Sequence, residues 1–153
     1  MFRIPEIYNP LLSLTIAVIC AVGLLHRATA QTPTPVEVKQ VKIGIGSKTF
    51  IAILEDNATA VAFRALLPLT VEMTELNGNE KYARLSKNLP VKATNPGTIQ
   101  TGDLMIYGSR TLVLFYKTFR TSYEYTRLGR IQDTTGLAAA VGSGSVTVTF
   151  AKD

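Results

Sequence analysis

From residue 41 onward, apolar and polar positions of this chain alternate repeatedly with a period of two, the spacing of strands that bury one face. Val41-Lys42-Ile43-Gly44-Ile45 is one such run. Gly46-Ser47 reads as a two-residue turn, and residues 48–54 as the hairpin partner. Residues 69–73 alternate again, and Asn77-Gly78-Asn79 follows as a turn. Residues 103–107 and 111–116 form two apolar strands joined by Gly108-Ser109-Arg110. The second is apolar at nearly every position, which predicts burial on both sides. Residues 123–131 are a further strand region, where Gly129 marks a bulge or a close approach. Arg127 and Arg130, three apart in a regular strand, would face opposite sides. Residues 145–150 alternate cleanly and close the pattern.

Two short helical stretches interrupt the strands. Asn57 is a good N-cap, with Asp56 favourable beside the positive end of a helix. Residues 58–67 place Val61, Ala62, Ala65 and Leu66 on one side, and Pro68 ends the run. Residues 136–141 predict a second helical turn. Residues 80–101 read as an irregular segment punctuated by Pro90, Pro96 and Gly97. A loop of about twenty residues in a small domain is often functional. The absence of βαβ alternation argues against a parallel sheet. The fold expected from the pattern is mainly β, an antiparallel barrel that is closed or nearly closed.

Upstream of this domain the pattern changes. Residues 11–25, LLSLTIAVICAVGLL, carry no charge. They fall short of the roughly 20 residues a membrane-spanning helix needs and match the apolar region of a signal peptide. Ala28-Thr29-Ala30 has small side chains where a signal peptidase must seat them, and Gln31-Thr32-Pro33-Thr34-Pro35 is a polar, proline-rich linker. The expected organisation is a signal peptide over 1–30, a linker over 31–40 and a domain over 41–153. The expected location is the periplasm or the exterior, with no stable membrane span after cleavage. An uncleaved anchor is the alternative. Cys20 is a poor lipidation site, because Ile19 precedes it inside the apolar run.

Composition then removes several chemistries. The chain has one cysteine and one histidine, Cys20 and His26, both upstream of Gln31. The domain that remains has no disulfide, no cysteine nucleophile, no histidine base and no His/Cys metal site. No metal or cofactor is expected. The formal net charge is +5, and Arg3, Arg27 and Glu6 contribute +1 of it. The remaining basic residues are scattered, with one loose cluster at 117–130, so no nucleic-acid footprint is expected. Asp103, following Gly102 at a strand start, should accept backbone hydrogen bonds. Gly142-Ser143-Gly144-Ser145 lacks the lysine and helix of a phosphate loop and reads as a turn.

The clearest candidate surface is residues 115–130. Phe115, Tyr116, Lys117, Phe119, Arg120, Tyr123, Tyr125, Arg127 and Arg130 fall close together. Tyrosine and arginine are favoured at binding surfaces, and a peptide or small-ligand groove is expected there. Phe115 reads more simply as a core residue, and a purely structural role for the tyrosines is the alternative to the groove.

Several stretches resemble a known family. They are Leu76-Asn77-Gly78-Asn79-Glu80-Lys81-Tyr82, residues 97–108, Leu112-Val113-Leu114-Phe115-Tyr116-Lys117, and residues 121–131. In this order they resemble the bacterial cyclophilin-like domain family, over about residues 41–151. The resemblance implies an eight-stranded barrel closed by two helices. Cyclophilins isomerise peptidyl-prolyl bonds, but this chain has no F-H-R stretch, no tryptophan, and no histidine after His26. Isomerisation needs only an apolar pocket and a donor, usually arginine, to lower a barrier of about 18–20 kcal/mol. The ligand-binding candidates are Arg64, Tyr82, Phe115, Tyr116, Arg120, Tyr123, Tyr125 and Arg127. Two functions follow: a non-catalytic module that binds a peptide or small molecule, or a divergent peptidyl-prolyl isomerase.

Overall fold

The computed structural model of the protein describes residues 39–153. The expected signal peptide and nearly all of the linker lie outside the described residues. The elements in chain order are β1 (Gln40–Ile45), β2 (Lys48–Leu54), α1 (Ala58–Arg64), β3 (Leu69–Leu76), β4 (Glu80–Arg84), β5 (Thr98–Ile99), β6 (Asp103–Tyr107), β7 (Thr111–Phe115), β8 (Phe119–Arg120), β9 (Thr126–Ile131), α2 (Leu137–Val141) and β10 (Val146–Lys152). Eight strands close into an antiparallel barrel in the order β1-β10-β3-β4-β7-β6-β9-β2. β5 and β8 form a separate two-stranded sheet. Among the described residues, no helix is long and apolar enough to cross a membrane.

An eight-stranded barrel is just wide enough for side chains to fill its interior. Here they do: Val41, Ile43, Phe50, Met73, Leu104, Ile106, Leu112, Leu114, Val148 and Phe150 are all buried. The two helices complete this core. Phe63 of α1 meets Phe150 edge-on, with ring centroids 5.6 Å apart, and α2 contributes Leu137 and Val141. The Asn57 side chain accepts from the Ala60 amide at 2.8 Å and donates to the Arg127 carbonyl at 2.9 Å. One residue thus caps α1 and ties it to β9.

β7 is buried on both sides, as its unbroken apolar run implies. Leu112 and Leu114 face the barrel interior. Val113 and Phe115 face outward, where Ile99, Met105 and Tyr125 cover them to form a second cluster. That outer cluster carries the site described below.

Four sequence expectations need correction. The helix expected over 58–67 ends at Arg64, and Leu66 and Leu67 continue it only as tight turns bonded to Phe63 and Arg64. The segment expected to be irregular from residue 80 opens with β4. Its alternation was masked because Lys81 points inward and Glu80 and Tyr82 outward, so charged residues lie on both faces. The strand region 123–131 begins as β9 only at Thr126, while Tyr125 forms an isolated bridge with Thr94. Arg127 and Arg130 are both exposed rather than on opposite sides. The cause is a β-bulge: Leu104 pairs with Gly129 but Met105 with Arg127, so Leu128 is an extra residue that resets the alternation. Gly129 is also a close approach. A Cβ there would stand 2.9 Å from the Leu54 Cα and press on the Ile53 carbonyl oxygen.

Candidate ligand cleft

With the interior filled, the open space lies outside the wall. An open cleft of about 470 Å³ sits over β4, β7 and the tip of the β6–β7 hairpin, within the size range of small-molecule sites. β4 supplies Glu80 and Tyr82, and β7 supplies Thr111 and Val113. Tyr107 stands at the end of β6. Phe119 and Arg120 of β8 and the following residues 121–125 form the opposite wall.

Strand register explains why these side chains meet. Tyr82 pairs with Val113, Val113 with Met105, and Thr111 with Tyr107. Directly paired residues project from the same face of a sheet, so each pair adds to one outer row. The β5–β8 sheet then brings Phe119 over Phe115, with ring centroids 5.7 Å apart. Tyr125 meets Phe115 edge-on at 5.5 Å and Tyr107 at 5.6 Å. Tyr107 in turn meets Tyr123 at 6.3 Å, nearly perpendicular. These contacts fix a continuous aromatic chain from the buried Phe115 to Tyr123, which is 63% exposed.

Of the residues anticipated from sequence, Tyr82, Arg120, Tyr123 and Tyr125 line this cleft. Phe115 lies buried beneath it. Tyr116 belongs to the inner cluster and donates to both oxygens of Glu75, at 2.9 and 2.8 Å. Arg64 is at the end of α1 and does not line the cleft. Arg127 lines a different depression of about 390 Å³, together with Asn57, Thr59 and Lys92. Sequence reasoning missed Glu80, Tyr107 and Thr111. Glu80 and Thr111 each precede or begin an outward-facing strand row, a signal visible only once β4 and β7 are paired.

The titratable groups fall into two sets. Burial, and then the charge of Glu80 and Tyr107, push the Tyr125 hydroxyl up to about 12, so it is a hydrogen-bond donor and not a base at neutral pH. Burial and the neighbouring Glu75 raise Glu80 above the usual carboxylate range. On the inner side, burial works to raise Glu75, but Lys81, Tyr116 and the Gly78 amide outweigh it and hold the carboxyl below its ordinary value. Burial and the hydrogen bond to Glu75 push Tyr116 up to about 12.

Lys81 is fully buried and donates to the Gly142 carbonyl at 2.9 Å, the Gly144 carbonyl at 2.6 Å and the Glu75 carboxylate. All three ammonium hydrogens have acceptors, so Lys81 has no role as a general base. It anchors the Gly142–Ser145 turn instead, which gives that glycine-rich stretch a structural explanation. Asp103 accepts from the Gln100 amide at 2.8 Å and pairs with Arg130 at 2.9 Å, again a structural arrangement. Among the described residues, no three His, Cys, Asp or Glu side chains converge as a metal site.

Fold and cleft together define a filled eight-stranded barrel that presents an aromatic outer-face site. The profile of the Cyclophilin-like family matches residues 43–151, and the chain belongs to that family. Its structure is similar to the solution structure of the hypothetical protein AF2241 from Archaeoglobus fulgidus, with a TM-score of 0.52 and 18% identity. That similarity covers 76% of this chain and 96% of the other, and it concerns the fold. No curated protein matches.

Proposed function

We propose that this protein is an exported ligand-binding module that holds a peptide or small molecule in the outer-face cleft without transforming it. The observation that carries the reading is the partly open aromatic cleft, whose floor and walls come from five separate strands. Binding surfaces favour such tyrosine-rich walls because a tyrosine offers both apolar area and a polar tip. Among the described residues no nucleophile–base set accompanies the cleft: its hydroxyl groups have no histidine partner there, and Lys81 is committed elsewhere. Export rests on the sequence pattern of residues 11–30. Mass spectrometry of the protein from its native host should find Gln31 at the N-terminus; an intact N-terminus retained in membranes would replace export by anchoring.

One observation favours the divergent isomerase as a second reading: Arg120 and Phe119 line the same cleft, and together they resemble the donor and apolar wall that prolyl isomerisation needs. Titrating the tetrapeptide Ala-Ala-Pro-Phe into the protein separates the two. The binding reading expects amide shifts at residues 119–125 with cis/trans exchange at its uncatalysed rate, tens to hundreds of seconds. Strong acceleration that disappears in Arg120→Ala would establish the enzyme instead.

A further inference from the structure

Among the described residues, one charge in the cleft has no partner. Glu80 is only 8% exposed, yet it lines the cleft. Among the described residues, no group donates a hydrogen bond to its carboxylate and no cation lies within ion-pair distance. The other buried or half-buried acids show how this fold treats a carboxylate kept for structure. Glu75 receives Lys81, Tyr116 and the Gly78 amide. Asp103 receives Arg130 and the Gln100 amide. Lys81, adjacent to Glu80 in sequence, points to the other side of β4 and is fully engaged there.

A carboxylate crowded among apolar and aromatic side chains with no cation or donor of the protein on it has its charged form disfavoured, and the Glu80 oxygens stay open to the cleft, where a guest can reach them. Its surroundings suit a particular guest. Tyr82, Tyr107, Tyr123 and Tyr125 share the cleft, and the nearly perpendicular Tyr107 and Tyr123 turn a face and an edge toward one another. Aromatic faces attract cations within about 6 Å of the ring centroid.

We propose that the cleft binds an organic cation, a primary or methylated ammonium group, with Glu80 as its counter-ion and the tyrosines as its walls. This rests on the cleft being the ligand site. A hard metal ion is a poor alternative, because such ions take six or more oxygen ligands and, among the described residues, Glu80 is the single carboxylate lining the cleft. Arg120 lines the same cleft, so a second positive charge on the guest would be repelled. A monocation fits better than a polyamine.

The test uses the full chain and four probes: N-acetyl-lysine methylamide, its neutral Nε-acetylated counterpart, tetramethylammonium and spermidine. Binding is read by amide chemical shifts and by calorimetry. At least one monocation should shift residues 121–125 and the Glu80 amide. Its affinity should exceed that of the neutral counterpart and of spermidine about tenfold, and should fall about tenfold in Glu80→Gln, with melting curves confirming that the variant folds. Tighter binding of the lysine derivative than of tetramethylammonium assigns the cation to a peptide side chain; the reverse assigns it to a free quaternary amine; either supports the proposal. Equal binding of the neutral counterpart, or an unchanged affinity in Glu80→Gln, overturns the cation assignment while leaving the cleft as a ligand site, since the shifts would still map there. Shifts that avoid the cleft for every probe overturn the proposal.

Discussion

Glu80 stands directly opposite Phe115 in the β4–β7 ladder, so a carboxylate and the foot of an aromatic chain are held side by side on the outer face of the barrel. Burial and the charge of Glu75 raise the Glu80 carboxyl above its ordinary value. The folded protein therefore holds that proton more tightly than the unfolded chain. Stability from this group is fully present below the unfolded value near 4.5 and is lost as pH rises through the folded one.

Glu80→Gln should accordingly stabilise the protein at neutral pH by about 1 kcal/mol, the scale of removing a poorly solvated charge. The advantage should shrink as the pH falls through the folded Glu80 value and the native carboxyl becomes neutral. Denaturant melts of both proteins across the acid range check this. The titratable groups that interact with Glu80 are Tyr125 on the cleft side and Glu75 and Tyr116 on the other side of the wall, while Arg120 lines the same cleft without an ion pair to it. A loss of stability in the variant at neutral pH would contradict the absence of a partner.

Tyr123 and Tyr125 share the cleft but differ in depth, at 63% and 6% exposure. Tyr123→Ala should weaken ligand binding with a stability change within about 0.5 kcal/mol. Tyr125→Ala removes a ring packed on Phe115 and should cost about 3–5 kcal/mol. Melts run beside the titration used for the cleft separate the two effects. Equal destabilisation by both would mean that Tyr123 is core.

Lys81 is the structural counterpart of Glu80. Lys81→Met should cost about 3–5 kcal/mol, because it strands the Glu75 carboxylate and two carbonyls. Since Lys81, Tyr116 and the Gly78 amide hold Glu75 below its ordinary value, the native stability is present above the unfolded value and lost as pH falls through the folded one. The gap between native and variant should therefore be widest near neutrality and narrow in acid. A gap independent of pH would remove Glu75 from the explanation.

Gly129→Ala tests the close approach at the bulge. The added methyl would meet the backbone of Ile53 and Leu54, which must shift along β2. The expected cost is about 1–3 kcal/mol, typical of overpacking, measured by denaturant melts. A neutral substitution would show that β2 and β9 pair more loosely.

Period-two alternation was enough to place β1, β3 and β10, the Gly46-Ser47 turn placed β2 as a hairpin partner, and unbroken apolar runs placed β6 and β7. β4 escaped it because Lys81 satisfies its charge inside the barrel, which no local pattern reveals. The bulge at Leu128 likewise changes which face Arg127 takes without any mark in the sequence beyond Gly129. The wall formed by residues 119–125 was legible from 115–130, since β8 and the residues after it fold back over β7, but Tyr107 across from it was not. The charged half was not: Glu80 reaches the cleft only through pairing with a strand thirty-five positions away, at Phe115.

The central claim is that the outer-face cleft is where this protein binds its ligand. The measurement that tests it most directly is a fragment-binding map of the protein beside Thr111→Trp, which fills the cleft from a half-exposed position on β7. A small set of apolar, anionic, cationic and proline-peptide fragments is read by amide chemical shifts. The account predicts that binders shift residues 119–125 and Tyr82 in the native protein, and that Thr111→Trp abolishes those shifts without lowering the melting temperature. Fragments that map to another surface, or that bind the filled variant equally well, would contradict it.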